Sequence, residues 1–273
     1  MNQDQVKDKL LAIEDAPAEF SLVYSGKTSA KVNGLYKPET REIIIHNRNF
    51  QKGANGDNLL LYTAIHEYAH HLHACSRGGV LSARAHTSEF WAIFHALLEK
   101  AEAKKIYRDV FSGSPELKQL TDTIRKKYLQ ENGSLVKEMG MQLLRAHELC
   151  TALGVRFEDY VDRVLCIPRT AANTAIRMYE YDLNPAVGAD NMRFLAGIRD
   201  GDDRRTAETA LAKGKSPDTV KMTLKAKNSG EDPALKLEKE KLRLERTIES
   251  LSKRLEEVKR ELGRFDKGIQ KHG

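Results

Sequence analysis

The sequence has little cysteine and no long apolar segment. Three cysteines, Cys75, Cys150 and Cys166, occur among 273 residues, which is too few and too scattered for a disulfide framework or a cysteine-based metal site. No run of about 20 apolar residues is present to cross a bilayer, and the polar residues 1–8 do not resemble a signal peptide. We therefore expect a cytoplasmic protein with reduced thiols and no membrane partner.

Charge is abundant but is not concentrated in one sign. The chain carries 45 lysines and arginines against 39 aspartates and glutamates, which gives a formal net charge of +6. A basic balance permits contact with nucleic acid or another acidic partner. Because basic and acidic residues are interleaved along most of the chain, the composition does not demand such a partner.

The most informative stretch of the chain is His66-Glu67-Tyr68-Ala69-His70, which matches the pattern His-Glu-x-x-His. If this stretch is helical, its two histidines project from one face. Two imidazoles on one face can bind one Zn²⁺, and the glutamate beside the first is placed to act on a water that the metal activates. The motif therefore predicts a zinc metallopeptidase or a close relative, with Zn²⁺ as its cofactor.

The residues around the motif support a helix. Residues 58–65 are mostly apolar and contain neither proline nor glycine, and Asp57 or Asn58 is a suitable N-cap. Gly78 and Gly79 are expected to end the helix, because glycine adopts a left-handed conformation at little cost. Four apolar side chains fall at helical spacing and are expected to pack on a core: Leu61, Ile65, Ala69 and Leu72.

A catalytic zinc ion usually has three protein ligands and one open position. His86 is the first candidate for the third ligand, because it precedes a second helix that we predict over residues 90–107. Glu89 is the rival candidate, since a carboxylate completes some zinc sites that contain two histidines. The residues alone leave this choice open.

Three further histidines lie near the motif in the sequence. His71 and His73 are expected to lie on the helix surface rather than to support the metal ligands. His95 lies on the apolar second helix and is predicted to be a hydrogen-bonded core or boundary residue.

The expected chemistry is the hydrolysis of a peptide bond in a protein substrate. Zinc lowers the pKa of a coordinated water to about 7. Glu67 is expected to act as the general base, taking a proton from that water and delivering it to the leaving amine.

Residues 66–79 and 85–101 resemble the SprT-like metallopeptidases and related short gluzincin-like domains. The resemblance covers roughly residues 15–110. In these families a histidine opens the helix after the His-Glu-x-x-His helix. The resemblance therefore implies zinc ligands and a general base at these positions: His66, His70 and His86 as ligands and Glu67 as base.

The resemblance also implies an α+β, zincin-like fold. Residues 20–24 and 43–45 have strand composition, residues 30–36 suggest a third strand, and residues 37–40 suggest a hairpin turn. Together they look like the small β-meander that precedes the zinc helix in these families. A second resemblance, to the ImmA/IrrE-type metallopeptidases, implies a glutamate as third ligand and favours Glu89.

We predict three parts in the chain: a metallopeptidase domain over residues 1–112, an all-helical module over 115–228 and a coiled coil over 234–268. The helical module is predicted to contain helices over 116–130 and 134–153, separated by Asn132 and Gly133.

Residues 157–165, a turn at 166–169 and residues 170–179 have the spacing of a helix-turn-helix. This segment is similar to helical DNA-associated modules of phages and plasmids, including ParB-like ones. A plain helical bundle explains the same pattern, and the sequence does not decide between the two. If the segment binds DNA, the residues that face a groove would be Arg169, Asn173, Thr174 and Arg177.

The C-terminal segment repeats apolar residues at alternating spacings of three and four, which predicts a coiled coil of about four heptads. Lys241 is a polar residue at an a position, which can fix register and oligomeric state. We expect a parallel homodimer, and a helix that folds back on its own chain is the alternative. The remaining seam residues are Leu237, Leu244, Ile248, Leu251, Leu255, Val258, Leu262 and Phe265.

Two functions from different classes agree with these patterns. The first is a zinc metallopeptidase that the helical module and the coiled coil recruit to a protein substrate or to DNA. The second is a non-enzymatic regulator of a mobile element that binds DNA or a partner and contains a structural zinc site. An intact Glu67 favours the enzyme, because a structural site does not need a base.

Overall fold

The computed structural model describes residues 1–50, 55–78, 85–111 and 113–227, and residues 238, 241–242, 244–249, 251–256 and 258–260 of the C-terminal segment. The chain forms two units, Met1–Leu224 and Lys225–Gly273. The first unit combines a small sheet with many helices, so the α+β class is confirmed, whereas the zincin-like assignment stays a prediction. The predicted boundary at residues 112–115 falls inside this unit and is not tested by it.

The sheet has three strands, β1 (Ser21–Tyr24), β2 (Gly34–Lys37) and β3 (Glu42–Ile45). Their order is β1-β3-β2. The hairpin predicted at residues 37–40 is present, since β2 and β3 pair antiparallel with Lys37 opposite Glu42. β1 instead pairs with β3 in parallel.

The predicted meander is therefore wrong, because a meander would place β2 in the middle and would contain only antiparallel pairs. The structure gives the central position to β3, the most apolar strand, whose Ile43 and Ile45 are fully buried. A central strand has a neighbouring strand along each edge. An apolar strand therefore buries the most surface in the central position.

Three helices pack with the sheet in the N-terminal part: α1 (Gln3–Ile13), α2 (Gly56–Ser76) and α3 (Ser88–Ala103). Helix α2 begins at Gly56 with Asn55 as its N-cap, two to three residues before the predicted N-cap at Asp57 or Asn58. It ends at Ser76, close to the glycines that were predicted to end it, and Gly78 has a φ of +68°. The four predicted core positions of α2 are all buried.

Helix α3 is shorter than predicted. It ends at Ala103, and the next turn closes when the N–H groups of Ile106 and Tyr107 both donate to the carbonyl of Ala101. Lys105 adopts a φ of +57°, which a continuing helix does not permit. One hydrophobic cluster, drawn from residues 6–107, forms the core of this part.

The helical part opens with one long helix, α4 (Pro115–Thr123) and α5 (Glu131–Ala152), joined by a π-helical segment at Ile124–Gln130. The predicted break at Asn132 and Gly133 is wrong. Gly133 is buried within the helix, and a Cβ there would lie 2.6 Å from the carbonyl oxygen of Pro185. This glycine serves a close backbone approach rather than a helix end.

The remaining helices are short and are joined by short connections. Helix α6 (Phe157–Tyr160) continues as a π-helical segment to Leu165, and Cys166 turns the chain at a φ of +54° into α7 (Arg169–Glu180). Then come α8 (Ala189–Ala196), α9 (Gly201–Ala212) and α10 (Pro217–Lys227). Two hydrophobic clusters, over residues 143–176 and 178–220, hold these helices together.

The described residues of the C-terminal segment are helical. Leu237, Leu262 and Phe265 of the predicted seam lie outside the described residues. The other apolar seam residues are exposed, from 37% at Val258 to 64% at Leu251. Ion pairs one turn apart, such as Lys253–Glu249 at 2.8 Å, line the flanks. The structure shows that these residues are helical, whereas their pairing in a coiled coil stays a prediction.

Within the part of the chain that the structure describes, every helix is too short or too polar to pass through a bilayer.

Candidate metal centre

The three histidines predicted as ligands lie together. His66 and His70 lie one turn apart on α2, and His86 directly precedes the start of α3. The Nε2 atoms of His66 and His86 are 3.1 Å apart. One ring nitrogen from each histidine lies within 4.8 Å of the other two, so the three residues can hold one metal ion.

The start of α3 fixes the chain next to His86. Thr87 is the N-cap of this helix, and its hydroxyl accepts a hydrogen bond from the backbone N–H of Phe90. Such a cap contributes about 1 kcal/mol to helix stability. The third histidine therefore belongs to a well-anchored helix start.

Aromatic side chains of α3 surround the imidazoles. Phe90 is fully buried, and its ring stacks on His70 with centroids 4.2 Å apart and meets His66 edge-on at 4.9 Å. Trp91, the single tryptophan of the chain, stacks on His86 at 5.5 Å. These contacts restrict ring rotation, so the donors are held in place before a metal binds.

Burial also keeps the imidazoles of His66 and His70 uncharged. Desolvation, with a smaller contribution from the charge of His86, lowers the pKa of His66 to about 4. Desolvation and the charges of the neighbouring histidines lower the pKa of His70 to about 3. Near pH 7 both rings are neutral, which is the form that donates a lone pair to a metal.

The donor set fits zinc. Tetrahedral zinc with nitrogen ligands at about 2.0–2.1 Å separates two of those nitrogens by about 3.3 Å, which is close to the 3.1 Å between His66 and His86. Three imidazoles with a fourth position left for water are one of the known catalytic zinc sets. Imidazole also suits copper, iron and nickel, so the residues define a metal site without fixing the metal.

Glu67 lies beside the histidines with little access to water. The residue is 6% exposed, and burial raises the pKa of its carboxyl to about 7. A carboxyl group with this pKa can both accept and donate a proton near neutral pH, which a base that later acts as an acid requires.

Gly34 is a site residue that sequence reasoning did not identify. A Cβ at this position would lie 3.0 Å from Cγ of Glu67 and 3.1 Å from side-chain carbons of Thr63 and Ile45. Glycine thus lets strand β2 lie directly against Glu67. One glycine in a short strand gives no sequence signal for this role, because the contact joins residues far apart in the chain.

A cleft of about 460 Å³ opens in front of Glu67 and the histidines. Residues 32–36, which include most of β2, line one part of it, and α2 lines another over residues 59–70. Its volume is within the range of about 300–1,000 Å³ that small-molecule sites occupy. The candidate metal centre is therefore accessible to a substrate.

Glu89, the rival ligand, is engaged elsewhere. Its carboxylate lies 3.5 Å from the guanidinium of Arg77 and 3.6 Å from Nε2 of His73. Among the described residues, the cluster that could hold a metal contains His86 and not Glu89.

The prediction that His71 and His73 lie on the helix surface is wrong, since they are 0% and 1% exposed. Residues 67–74 of α2 are all buried, because the sheet, α1 and α3 enclose this part of the helix. Nε2 of His71 donates to the carbonyl of Ala18 at 3.0 Å, which leaves Nδ1 to accept from the Tyr36 hydroxyl at 3.1 Å. His71 therefore ties α2 to strand β2.

His95 agrees with its prediction. It is half-buried on α3, and its Nδ1 lies 2.9 Å from the hydroxyl of Ser216, which precedes α10.

The four residues predicted to face DNA lie on α7. Arg169, Asn173 and Arg177 are exposed and follow one another at intervals of one turn, and Thr174 beside them is half-buried. Arg169 is paired with Asp162, which neutralises its charge. The guanidinium of Arg177 lies 3.3 Å from the hydroxyl of Thr174. The structure thus brings the four side chains to one surface. These residues are far along the sequence from the three clustered histidines, and DNA binding stays a prediction.

Comparison with known proteins identifies no relative. No family model, no curated protein and no solved structure matches this chain.

The first prediction concerns the third ligand. We expect the purified wild type to bind about one metal ion per chain and His86→Ala to lose it, because two histidines leave too few donors for tight binding. Glu89→Ala should retain the metal, since Glu89 pairs with Arg77 and His73. Metal analysis after zinc loading and dialysis measures this, with His95→Ala as the matched histidine control. If His86→Ala retained the metal and Glu89→Ala lost it, the third ligand would be Glu89 instead of His86.

Proposed function

We propose that this protein is a zinc-dependent metallopeptidase similar to the SprT-like type, which hydrolyses peptide bonds in a protein substrate. One observation carries the proposal: a buried carboxylate, Glu67, stands beside three histidines that can share a metal ion, and all four residues line one open cleft. A structural metal site is normally closed and has four protein ligands, whereas a catalytic site keeps one position open.

A bound zinc ion would activate a water molecule and polarise the scissile carbonyl. His66, His70 and His86 would hold the ion. Glu67 would accept the proton of the attacking water at its carboxylate and pass it to the amine that leaves, and its raised pKa suits both steps. Gly34 would keep the carboxylate in place by leaving room for it under strand β2.

Strand β2 offers a means of holding a peptide. It is the outer strand in the order β1-β3-β2, and it lines the cleft. An extended peptide can add to such an edge through main-chain hydrogen bonds, which do not depend on its sequence. A substrate that pairs with β2 would lie across the histidine cluster.

The test of this function is Glu67→Gln. We expect this variant to lose hydrolysis of an unfolded protein such as casein by at least about 100-fold, because general acid–base catalysis contributes about 10²–10⁴-fold. It should still bind one zinc ion, since Glu67 is not a ligand. Glu89→Gln is the matched control and should remain active.

Equal activity of wild type and Glu67→Gln would contradict the assignment of Glu67 as base. A wild type that binds zinc and hydrolyses no protein would favour the alternative function, a regulator of a mobile element with a structural zinc site.

We also propose that α7 recruits the protein to DNA. The short turn at residues 166–168 between α6 with its π-helical extension and α7 has the length found in helix-turn-helix motifs. The full chain should bind duplex DNA with an affinity that falls steeply with salt. Arg177→Ala should weaken binding and reduce the salt slope by about one, whereas Arg205→Ala, an exposed arginine on α9, should not. Salt-independent binding, or equal binding by the two variants, would refute the proposal.

We propose, third, that the C-terminal helix pairs with a second copy of itself. The apolar seam residues that the structure describes, from Leu244 to Val258, are exposed in the single chain. Apolar residues at a and d positions are buried when such helices associate. Sedimentation should give a dimer for the wild type and a monomer for Leu251→Lys. Leu242→Lys is the matched control, because Leu242 is similarly exposed but lies outside the seam. A monomeric wild type would exclude this pairing.

A further inference from the structure

The cleft has an apolar part that the proposed reaction does not use. Val32, Leu35, Leu59 and Tyr62 line it. Val32 and Leu59 are each 48% exposed and Tyr62 is 36% exposed. The four residues come from the segment before β2, from β2 itself and from α2, so the fold gathers them from separate elements onto one surface.

The apolar part adjoins the metal centre along α2. Leu59, Tyr62 and His66 are spaced at three and four residues, so they share one face of the helix. At a rise of about 1.5 Å per residue, Tyr62 lies about 6 Å and Leu59 about 10 Å from His66 along the axis. An extended peptide advances about 3.3 Å per residue, so these positions match side chains within roughly three residues of a bond held at the histidines.

Charge is scarce on this surface. Among the described residues that line the cleft, Glu67 is the single acidic one, and lysine, arginine and aspartate are absent. Beside Val32, Leu35, Leu59 and Tyr62, away from Glu67, a charged substrate side chain would therefore lose water without gaining a counter-ion, whereas an apolar side chain would cover apolar surface.

Packing behind the cleft holds the wall in place. The ring of Tyr62 meets Phe94 edge-on, with centroids 5.3 Å apart, and lies 6.2 Å from the ring of Tyr107. Phe94 and Tyr107 are 1% and 8% exposed. Tyr62 is thus supported by the core, so its exposed face is a fixed surface.

We propose that this surface is a subsite for an apolar side chain of the substrate, next to the peptide bond that is cut. The proposal rests on the metallopeptidase function in naming a peptide as the ligand. The subsite would give the enzyme a preference for leucine-like residues over charged ones.

The experiment measures binding rather than turnover. Hydroxamates of N-acetyl-trileucine, N-acetyl-trilysine and N-acetyl-triaspartate each present one zinc-binding group and three side chains, which is enough to span the distance from His66 to Leu59. Calorimetry on the zinc-loaded full chain gives their affinities. We expect the leucine compound to bind at least about 10-fold more tightly than the other two, which is the discrimination that apolar pockets reach.

Variants then locate the subsite. Leu59→Glu should weaken binding of the leucine compound by about 10-fold and should improve binding of the lysine compound. Val32→Glu, in the segment before β2, should have the same two effects. Leu11→Glu is the matched control, because Leu11 is 36% exposed on α1 and does not line the cleft. Zinc content verifies that each variant retains the metal centre.

The outcomes separate the two proposals. Equal affinity for the three compounds, no binding of any, or equal effects of Leu59→Glu and Leu11→Glu would overturn the subsite. Selective binding of the leucine compound by a protein that cleaves no leucine-rich peptide would leave the subsite standing and would remove the metallopeptidase function.

Discussion

The enclosure of α2 by the sheet, α1 and α3 is the constraint on which the rest of the first unit depends. Residues 67–74 are buried on every side of the helix, so this segment forms the centre of the N-terminal core. The same enclosure withdraws solvent from His70 and Glu67, lowering the pKa of the first and raising that of the second. The stability of the fold and the chemistry of the candidate site thus have one physical origin.

This arrangement has an energetic cost. Burying the imidazoles of His66 and His70 and the carboxyl group of Glu67 disfavours folding, because polar groups lose their hydration. Large aromatic surfaces offset this: Phe90 and Tyr68 are fully buried, and the Tyr68 hydroxyl donates to the Glu14 carbonyl at 2.8 Å. A metal ion that binds the folded state alone would add to stability through its binding free energy. The candidate site is therefore a place where buried polar groups lower the stability of the metal-free fold.

The sequence predicted those features that depend on local periodicity. The spacing of His66 and His70, the end of α2 near Gly78 and the helical context of His86 follow from helix geometry and end signals. Features that join distant residues were not predictable. The parallel pairing of β1 with β3, the contact of Gly34 with Glu67 and the burial of His71 all depend on tertiary packing. Gly133 shows the same limit. A glycine that ends a helix and a glycine that makes room for a neighbouring carbonyl group cannot be told apart in the sequence.

The sheet order has a consequence for the newly made chain. β1 finds its partner in β3 rather than in the next strand, and α1 buries its apolar face against a core completed by residues as distant as Tyr107. At a ribosomal rate of about 5–20 residues per second, on the order of 5–20 s pass between the synthesis of α1 and that of Tyr107, when the core can be completed. During this interval Val6, Leu10 and Ile13 can contact only the parts of the core that have already been made, such as β1 and later α2. Helix α1 thus leaves the ribosome before the other elements of its core and waits longest for that core to be complete.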